Sequence, residues 1–164
     1  DFAAQSVAPL VPEYDNLLVT QTLSKAHSLA GFRVGYAVLR EPLAADLDAS
    51  NDAYPLAKPS QAAAIATLEN EDEIQARIER LRSWAGDLAS ELEALGVRTY
   101  PSQTYFFLAD FAPQDAEAVA AELRDRNIFV KPLDVDWLGS GYMRVTTAQP
   151  PDNERVLQAL NEIL

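Results

Sequence analysis

With 164 residues, 48% of them hydrophobic, the chain is long and apolar enough to bury a globular core. Its 25 acidic and 13 basic residues give a formal net charge of -12, which opposes binding to nucleic acid through phosphate contacts. No apolar run approaches the roughly 18 residues that cross a bilayer, the lack of cysteine excludes disulfide and thiolate chemistry and fits a reducing cytoplasm, and one histidine is too few for an imidazole metal site.

The first predicted elements are two strands joined by a hydroxyl-rich loop. Apolar and β-branched residues predict one strand over 17–22 and a second over 34–39, which is reached through Gly31 and Gly35. Lys25 lies just past the first strand. The pattern therefore places this lysine at a strand exit, where loops commonly carry functional side chains.

The residues around Lys25 suggest a site for a phosphorylated aldehyde. An amine that attacks an aldehyde must be partly neutral, so its surroundings should disfavour charge by desolvation or by a nearby cation such as Arg33. Arg33, Ser24 and Thr22 can also donate hydrogen bonds to a phosphate. The competing interpretation is that Lys25 and Arg33 are ordinary solvated loop charges.

Helices are predicted through the middle of the chain. Pro42 opens a helix to about residue 51, and the prolines of 54–59 predict an extended connection where two bodies meet. Ser60 is predicted to cap a helix to about residue 68. Apolar residues at steps of three and four then predict a long helix over about 72–95, which ends before Gly96.

The remaining sequence alternates strands with helices, which predicts an α/β layer with an antiparallel component. Tyr105, Phe106, Phe107 and Phe111 make one strand aromatic, which indicates buried packing. Asp134 and Asp136 are either a paired acidic site or part of a solvated turn. The predicted elements are strands over 97–100, 105–111, 128–131 and 142–147, a helix over about 115–126, and a last helix after Pro151.

Arg144 is the second candidate functional residue. The strand over 142–147 alternates so that Tyr142, Arg144 and Thr146 share one face. A guanidinium offers a two-donor fork that suits a carboxylate. The simpler interpretation is an exposed strand arginine without a ligand.

The Lys25 segment carries a long, specific pattern: Ser-Lys-Ala, three residues, Ala-Gly, one residue, Arg, one residue, Gly-Tyr. It resembles the cofactor-lysine segment of fold-type I pyridoxal-phosphate-dependent aminotransferases of class I/II. Within that group it is most similar to histidinol-phosphate aminotransferases, which have a Thr-Leu-Ser-Lys-Ala motif. Met143-Arg144-Val145-Thr146 is similar to the Leu-Arg-Ile-Thr-like strand of the same family.

The resemblance implies a role for each matching residue. Lys25 would bond to pyridoxal 5'-phosphate and act as the general base, and Thr22, Ser24 and Arg33 would hold the cofactor phosphate. Arg144 would receive the acidic group of the substrate. His27 stands where relatives usually have an aromatic residue, and we interpret it as a ring packed beside the lysine loop, with a proton shuttle as the alternative. Lys131 stands near a position where relatives often have an arginine.

The resemblance also implies an architecture. Residues 1–52 would end the large cofactor-binding domain, and 53–164 would form the small C-terminal α/β domain with a partly antiparallel sheet. The chain would then be the second half of a cytoplasmic homodimeric enzyme. It would have weak or no activity alone, because the residues that stack on the cofactor ring and pair with its nitrogen would lie in the other half.

The substrates implied are an amino donor and a 2-oxo acid, with histidinol phosphate and 2-oxoglutarate as the specific expectation. Two departures bear on the substrate: Gln103-Thr104-Tyr105 stands where relatives have an asparagine, and 147–150 lacks their glycine. The alternatives are another class I/II aminotransferase, an enzyme similar to threonine-phosphate decarboxylase, or a non-catalytic acidic α/β module.

Overall fold

The computed structural model describes residues 1–3, 5–51, 54–133, 135 and 137–164, so Asp134 and Asp136 lie outside the described residues. The chain divides into two compact units: the first contains Asp1 and Ala3–Arg77, and the second contains Phe2 and Ile78–Leu164. The predicted assignment of 1–52 and 53–164 to two domains of a longer enzyme stays a prediction.

The first unit contains the two predicted strands, which are β1 (Val19–Thr22) and β2 (Gly35–Val38). They pair antiparallel with Thr22 opposite Gly35. Gly35 is required by this close approach, because a Cβ there would lie 2.7 Å from the carbonyl oxygen of Gln21. Two short 3₁₀ helices at Ala8–Glu13 and Ala30–Phe32 were not predicted, since such single turns carry little periodic signal.

Three helices follow as predicted: α1 (Leu43–Ser50), α2 (Lys58–Leu68) and α3 (Glu71–Ala94). The predicted cap at Ser60 is wrong. Helix α2 begins at Lys58, and its N-cap is Ala57, three residues before Ser60, because Pro59 fits the first turn, where no N–H is needed. Ser60 is instead buried within the helix. Gly96, with φ at +87°, takes the left-handed conformation that ends α3.

The second unit is an antiparallel sheet backed by helices. Its strands are β3 (Arg98–Thr99), β4 (Phe106–Asp110), β5 (Lys131–Pro132) and β6 (Tyr142–Thr146), in the spatial order β3-β4-β6-β5. The helices are α4 (Ala116–Asp125) and α5 (Pro150–Ile163). Asp115 caps α4, because its carboxylate accepts from the N–H groups of Glu117 at 3.0 Å and Ala118 at 3.1 Å.

The core of the second unit joins one face of the sheet to the helices. Phe107 and Phe111 are buried as predicted, while Tyr105 and Phe106 are only partly buried. Other buried members come from α3, α4, α5, β4 and β6: Leu88, Leu92, Val119, Leu123, Leu160, Ala109, Met143 and Val145. This burial fixes which face of the sheet stays open, and hence where Tyr142, Arg144 and Thr146 lie.

The predicted strand over 128–131 is wrong in its first three residues. Asn127 has φ at +57°, and the Ile128 N–H donates to the Leu123 carbonyl at 2.9 Å. These residues therefore close the C-terminus of α4 instead of extending the sheet, and β5 begins only at Lys131.

Within the described part of the chain, no helix combines the length and apolarity that crossing a membrane requires. Over the same residues, no group of three or more histidine, aspartate or glutamate side chains is placed to hold a metal ion.

Candidate functional site

The backbone around Lys25 is held in a tight turn over residues 23–29, which we call the Lys25 turn or lysine turn. The Ser28 N–H donates to the Lys25 carbonyl at 3.0 Å, and the Leu29 N–H donates to the Leu23 carbonyl at 3.0 Å. Leu23 and Leu29 are buried in one apolar cluster, and Ala26 is fully buried. The Lys25 side chain is exposed. The turn thus has apolar anchors on both sides of an accessible amine, so of the two expected ways to disfavour its charge the described residues do not supply desolvation.

The two hydroxyls predicted to hold a phosphate lie together. Thr22 Oγ1 donates to Ser24 Oγ at 2.9 Å, and the Ser24 N–H donates to Thr22 Oγ1 at 3.2 Å. The Thr22 side chain is exposed and Ser24 is partly exposed. The Ser24 N–H is used within the pair, but the two hydroxyl groups can rotate to donate to an anion, which makes them candidate phosphate ligands.

Arg33 lies two residues before the second strand of the pair. The Leu23 N–H donates to the Val34 carbonyl at 3.0 Å, so the segments that carry Ser24 and Arg33 are neighbours. Arg33 has φ at +56° and donates from Nη1 to the Ala30 carbonyl at 3.2 Å, and its side chain is otherwise exposed. By their chemistry, the hydroxyls and Arg33 are candidates to hold a phosphate, and the Lys25 amine is a candidate to react with an aldehyde.

His27 is buried next to this lysine. Only 5% of its surface is exposed, and its buried Nδ1 has no hydrogen-bond partner among the described residues. Burial lowers the pKa of His27, and the nearby Arg77 lowers it further, while Glu71 opposes the shift. The interpretation as a ring packed beside the lysine loop therefore agrees with its position.

Arg77 of α3 contacts the lysine turn, although the sequence did not indicate it. Its Nη1 donates to Ser28 Oγ at 2.8 Å and to the Ala26 carbonyl at 3.3 Å. Both acceptors belong to the lysine turn and lie 49 and 51 positions away along the chain. A helical arginine among acidic neighbours gives no sequence signal of such a contact.

Arg144 lies in the second unit, as does the rest of the open sheet face. On β6 the side chains of Met143 and Val145 are buried and Arg144 is exposed, which confirms the predicted alternation. The Arg144 guanidinium lies 5.5 Å from the centre of the Phe106 ring, within the range of a cation–π contact.

Lys131 of β5 stands directly opposite Arg144 in the antiparallel register. Residues paired in this way share one face of a sheet, and both side chains are exposed. Like charges at such a position repel one another unless an anion or solvent screens them. The structure therefore places two cations side by side where the sequence predicted one.

Tyr142 stands on the same face. Its hydroxyl lies 3.2 Å from that of Tyr100, the residue that follows β3. The hydrogen bond with Tyr100, together with burial and the negative charge of Asp110, raises the pKa of Tyr142 to about 12. The Tyr142 hydroxyl is thus protonated at neutral pH and can serve as a donor.

A family model, curated relatives and a solved structure that are similar to this chain are described as aminotransferases. Residues 1–160 match the family model described as aminotransferase class I and II. Histidinol-phosphate aminotransferase 2 of Rhizobium meliloti (strain 1021) is 37% identical over 171 residues, an alignment that covers 100% of this chain and 47% of that protein. Histidinol-phosphate aminotransferase 2 of Gluconobacter oxydans (strain 621H) is 40% identical over 172 residues and is likewise covered to 47%.

Among solved structures, histidinol-phosphate aminotransferase from Sinorhizobium meliloti in complex with pyridoxal-5'-phosphate is similar, with a TM-score of 0.82 and 27% sequence identity. The similarity covers 91% of this chain and 41% of that chain. The α/β fold with antiparallel sheets agrees with the expected class. The chain spans about half the length of the curated relatives that it matches.

Proposed function

Because this chain belongs to the class I and II aminotransferase family, we propose that it forms the lysine-bearing half of a pyridoxal-phosphate-dependent transaminase. The observation that carries the proposal is the Lys25 turn. In this turn an exposed amine directly follows the hydrogen-bonded hydroxyls of Thr22 and Ser24, and the segment that carries them is hydrogen-bonded to the segment that carries Arg33. Lys25 is the catalytic residue of this proposal, and the other three hold the cofactor phosphate.

The division of labour follows from the chemistry of each group. Bound pyridoxal phosphate supplies an electron sink for the bond that breaks at the substrate alpha carbon. Thr22, Ser24 and Arg33 fix the phosphate end through charge-assisted hydrogen bonds. Lys25 would accept a proton at its Nζ and then release it, so that one residue would serve as base and as acid.

The substrate that we propose is histidinol phosphate, with 2-oxoglutarate as amino acceptor. Two curated relatives at 37% and 40% identity carry that activity in their names. Arg144 and Lys131 support an acidic substrate, because two adjacent cations on an open face can bind a phosphate in one half-reaction and a carboxylate in the other.

The alternative is the substrate of another class I/II aminotransferase or of an enzyme similar to threonine-phosphate decarboxylase. The feature that motivates this alternative is the segment after β6. After β6, Asn153 of α5 donates to Thr147 Oγ1 at 2.9 Å and accepts from the Ala148 N–H at 2.8 Å. Thr147 and Ala148 belong to the segment 147–150, in which relatives commonly have a glycine. The two bonds of Asn153 fix the chain just beyond β6, the strand that carries Arg144.

The assembly belongs to the same proposal. We expect the full-length protein to be a cytoplasmic homodimer, and we expect this chain alone to have weak or no activity. Light scattering of the full-length protein tests the first expectation, since a monomer contradicts it. Transaminase turnover by the 164-residue chain alone contradicts the second.

The decisive experiment is the visible spectrum of the full-length protein with pyridoxal phosphate, before and after histidinol phosphate is added. A yellow band that bleaches supports both cofactor and substrate, and a band that persists retains the transaminase but rejects this substrate. Lys25→Ala should abolish the band, whereas Lys58→Ala, which changes an exposed lysine of α2, should retain it. If no band forms, or if both variants retain it, Lys25 is incidental and the non-catalytic α/β module is favoured.

A further inference from the structure

Arg77 makes two hydrogen bonds to the segment that carries Lys25. We propose that Arg77 is a positioning residue that holds the Lys25 turn in the conformation that binds the cofactor. The inference rests on the proposed role of Lys25 as the cofactor lysine. Arg77 acts through the backbone of the turn, and no contact with the cofactor is required.

The two contacts of Arg77 lie on either side of the buried His27, which is two residues after the lysine. Arg77 Nη1 lies 2.8 Å from Ser28 Oγ and 3.3 Å from the Ala26 carbonyl oxygen, so it holds the chain on both sides of His27. Hydrogen bonds from a charged donor are stronger than neutral ones, and Arg77 is partly buried. Helix α3 thus provides the turn with an external support that its own residues do not supply.

The turn needs that support because of Ser28. Ser28 has φ at +59°, in the left-handed region that residues with a Cβ rarely adopt. Such a conformation persists only where surrounding contacts specify it. Two contacts do so here: the Ser28 N–H donates to the Lys25 carbonyl, and the Ser28 hydroxyl accepts from Arg77. The bond to Arg77 therefore stabilises the residue of the turn with the least favourable backbone.

Loss of Arg77 should reduce the fraction of protein whose turn is ready for the cofactor. When only a fraction of the protein is competent to bind, the apparent dissociation constant rises by the inverse of that fraction. We expect Arg77→Met, which keeps an aliphatic side chain and removes the donors, to weaken pyridoxal phosphate binding about tenfold. Arg77→Lys retains one charged donor without the fork and should weaken binding about threefold.

A second substitution separates positioning from general stability. Glycine adopts positive φ about as readily as negative φ, so Ser28→Gly removes the strain together with the hydroxyl. In the presence of Arg77 this change removes a hydrogen bond and should not improve binding. In the Arg77→Met background no such bond remains, and Ser28→Gly should restore part of the lost affinity, about threefold. A merely structural role for Arg77 predicts no rescue at this position.

The test uses the full-length protein and titrates the visible band of the lysine-bound cofactor in wild type, the Arg77 variants, the double variant and Arg80→Met. Arg80 is an exposed arginine of the same helix and should bind as wild type does. Amide hydrogen exchange without cofactor provides a second readout, in which Arg77→Met should speed exchange at Ser28 and Leu29 by about tenfold.

The outcomes distinguish this proposal from the one on which it rests. A Lys25-dependent band with unchanged affinity in Arg77→Met overturns the role of Arg77 and leaves the proposed function intact. The role of Arg77 is also overturned if Ser28→Gly lowers the affinity equally in both backgrounds. If Arg77→Met does not fold, wild-type affinity in Arg77→Lys overturns the role. A wild-type protein without a Lys25-dependent band overturns both proposals.

Discussion

His27→Phe should stabilise the 164-residue chain and remove part of its sensitivity to acid. The wild-type ring is 5% exposed and buries Nδ1 without a hydrogen-bond partner among the described residues. A buried, unsatisfied polar group costs about 1–3 kcal/mol. Phenylalanine removes that cost, but its slightly larger ring strains the site by about 1 kcal/mol. The expected net gain at pH 7 is about 1 kcal/mol in the free energy of unfolding.

The pH dependence follows from the direction of the pKa shift. Burial lowers the pKa of His27 below its ordinary value of 6.5, so between those two pKa values the unfolded chain binds more protons than the folded chain. Stability from neutral His27 is therefore fully present above about pH 6.5 and is lost as the pH falls toward the folded pKa. One proton changes stability by at most about 1.4 kcal/mol per pH unit, or about 2 kcal/mol between pH 6.5 and pH 5.

Urea unfolding at pH 7.5, 6.5 and 5.0, followed by circular dichroism, measures both effects. His27→Gln is the matched control, because it keeps a buried polar group but cannot titrate, and it should lose the pH dependence without the gain at pH 7. The reasoning is refuted if His27→Phe is less stable than wild type at pH 7.5. It is also refuted if the three proteins lose stability in parallel as the pH falls.

Two further predictions concern the strand pair and the substrate face. Gly35→Ala should destabilise the chain by about 2 kcal/mol in urea, since the new Cβ meets the Gln21 carbonyl oxygen at 2.7 Å, whereas Gly31→Ala, with open space around it, should stay within about 0.5 kcal/mol. Equal effects of the two changes would contradict the close approach. In the full-length protein, Arg144→Gln should raise the KM of the acidic amino donor about 10- to 100-fold and leave the visible cofactor band unchanged. Arg98→Gln, an exposed arginine of the same sheet, is its control, and an unchanged KM in Arg144→Gln would remove Arg144 from the substrate site.

The sequence alone determined the features that depend on neighbouring residues. The spacing around Lys25 identified the family, and the alternation at 142–146 assigned Arg144 to the open face. The apolar repeat and Gly96 predicted α3 to within a residue at each end. These signals are local, because helix and strand periods and chain termination by glycine are specified by residues close in sequence.

The two predictions that were wrong, the Ser60 cap and the strand at 128–130, concern positions where two local signals favour different structures. Ser60 is a good capping residue, but Pro59 is better suited to a first turn, and the helix therefore begins before both. Residues 128–130 have strand-forming side chains, yet the Ile128 N–H is used to close α4. In the first case the position of a proline decided the outcome, and in the second a single backbone hydrogen bond did.

Only the tertiary structure decided which distant residues act together. The bonds from Arg77 to the lysine turn, the pairing of Lys131 with Arg144, and the burial of His27 each join segments that are far apart in sequence or hidden by packing. A side chain donates a hydrogen bond only when packing brings an acceptor within about 3 Å. The sequence therefore specified Lys25, Thr22, Ser24 and Arg33 as candidate site residues, and the packing of α3 brought the Arg77 side chain to the turn that carries Lys25.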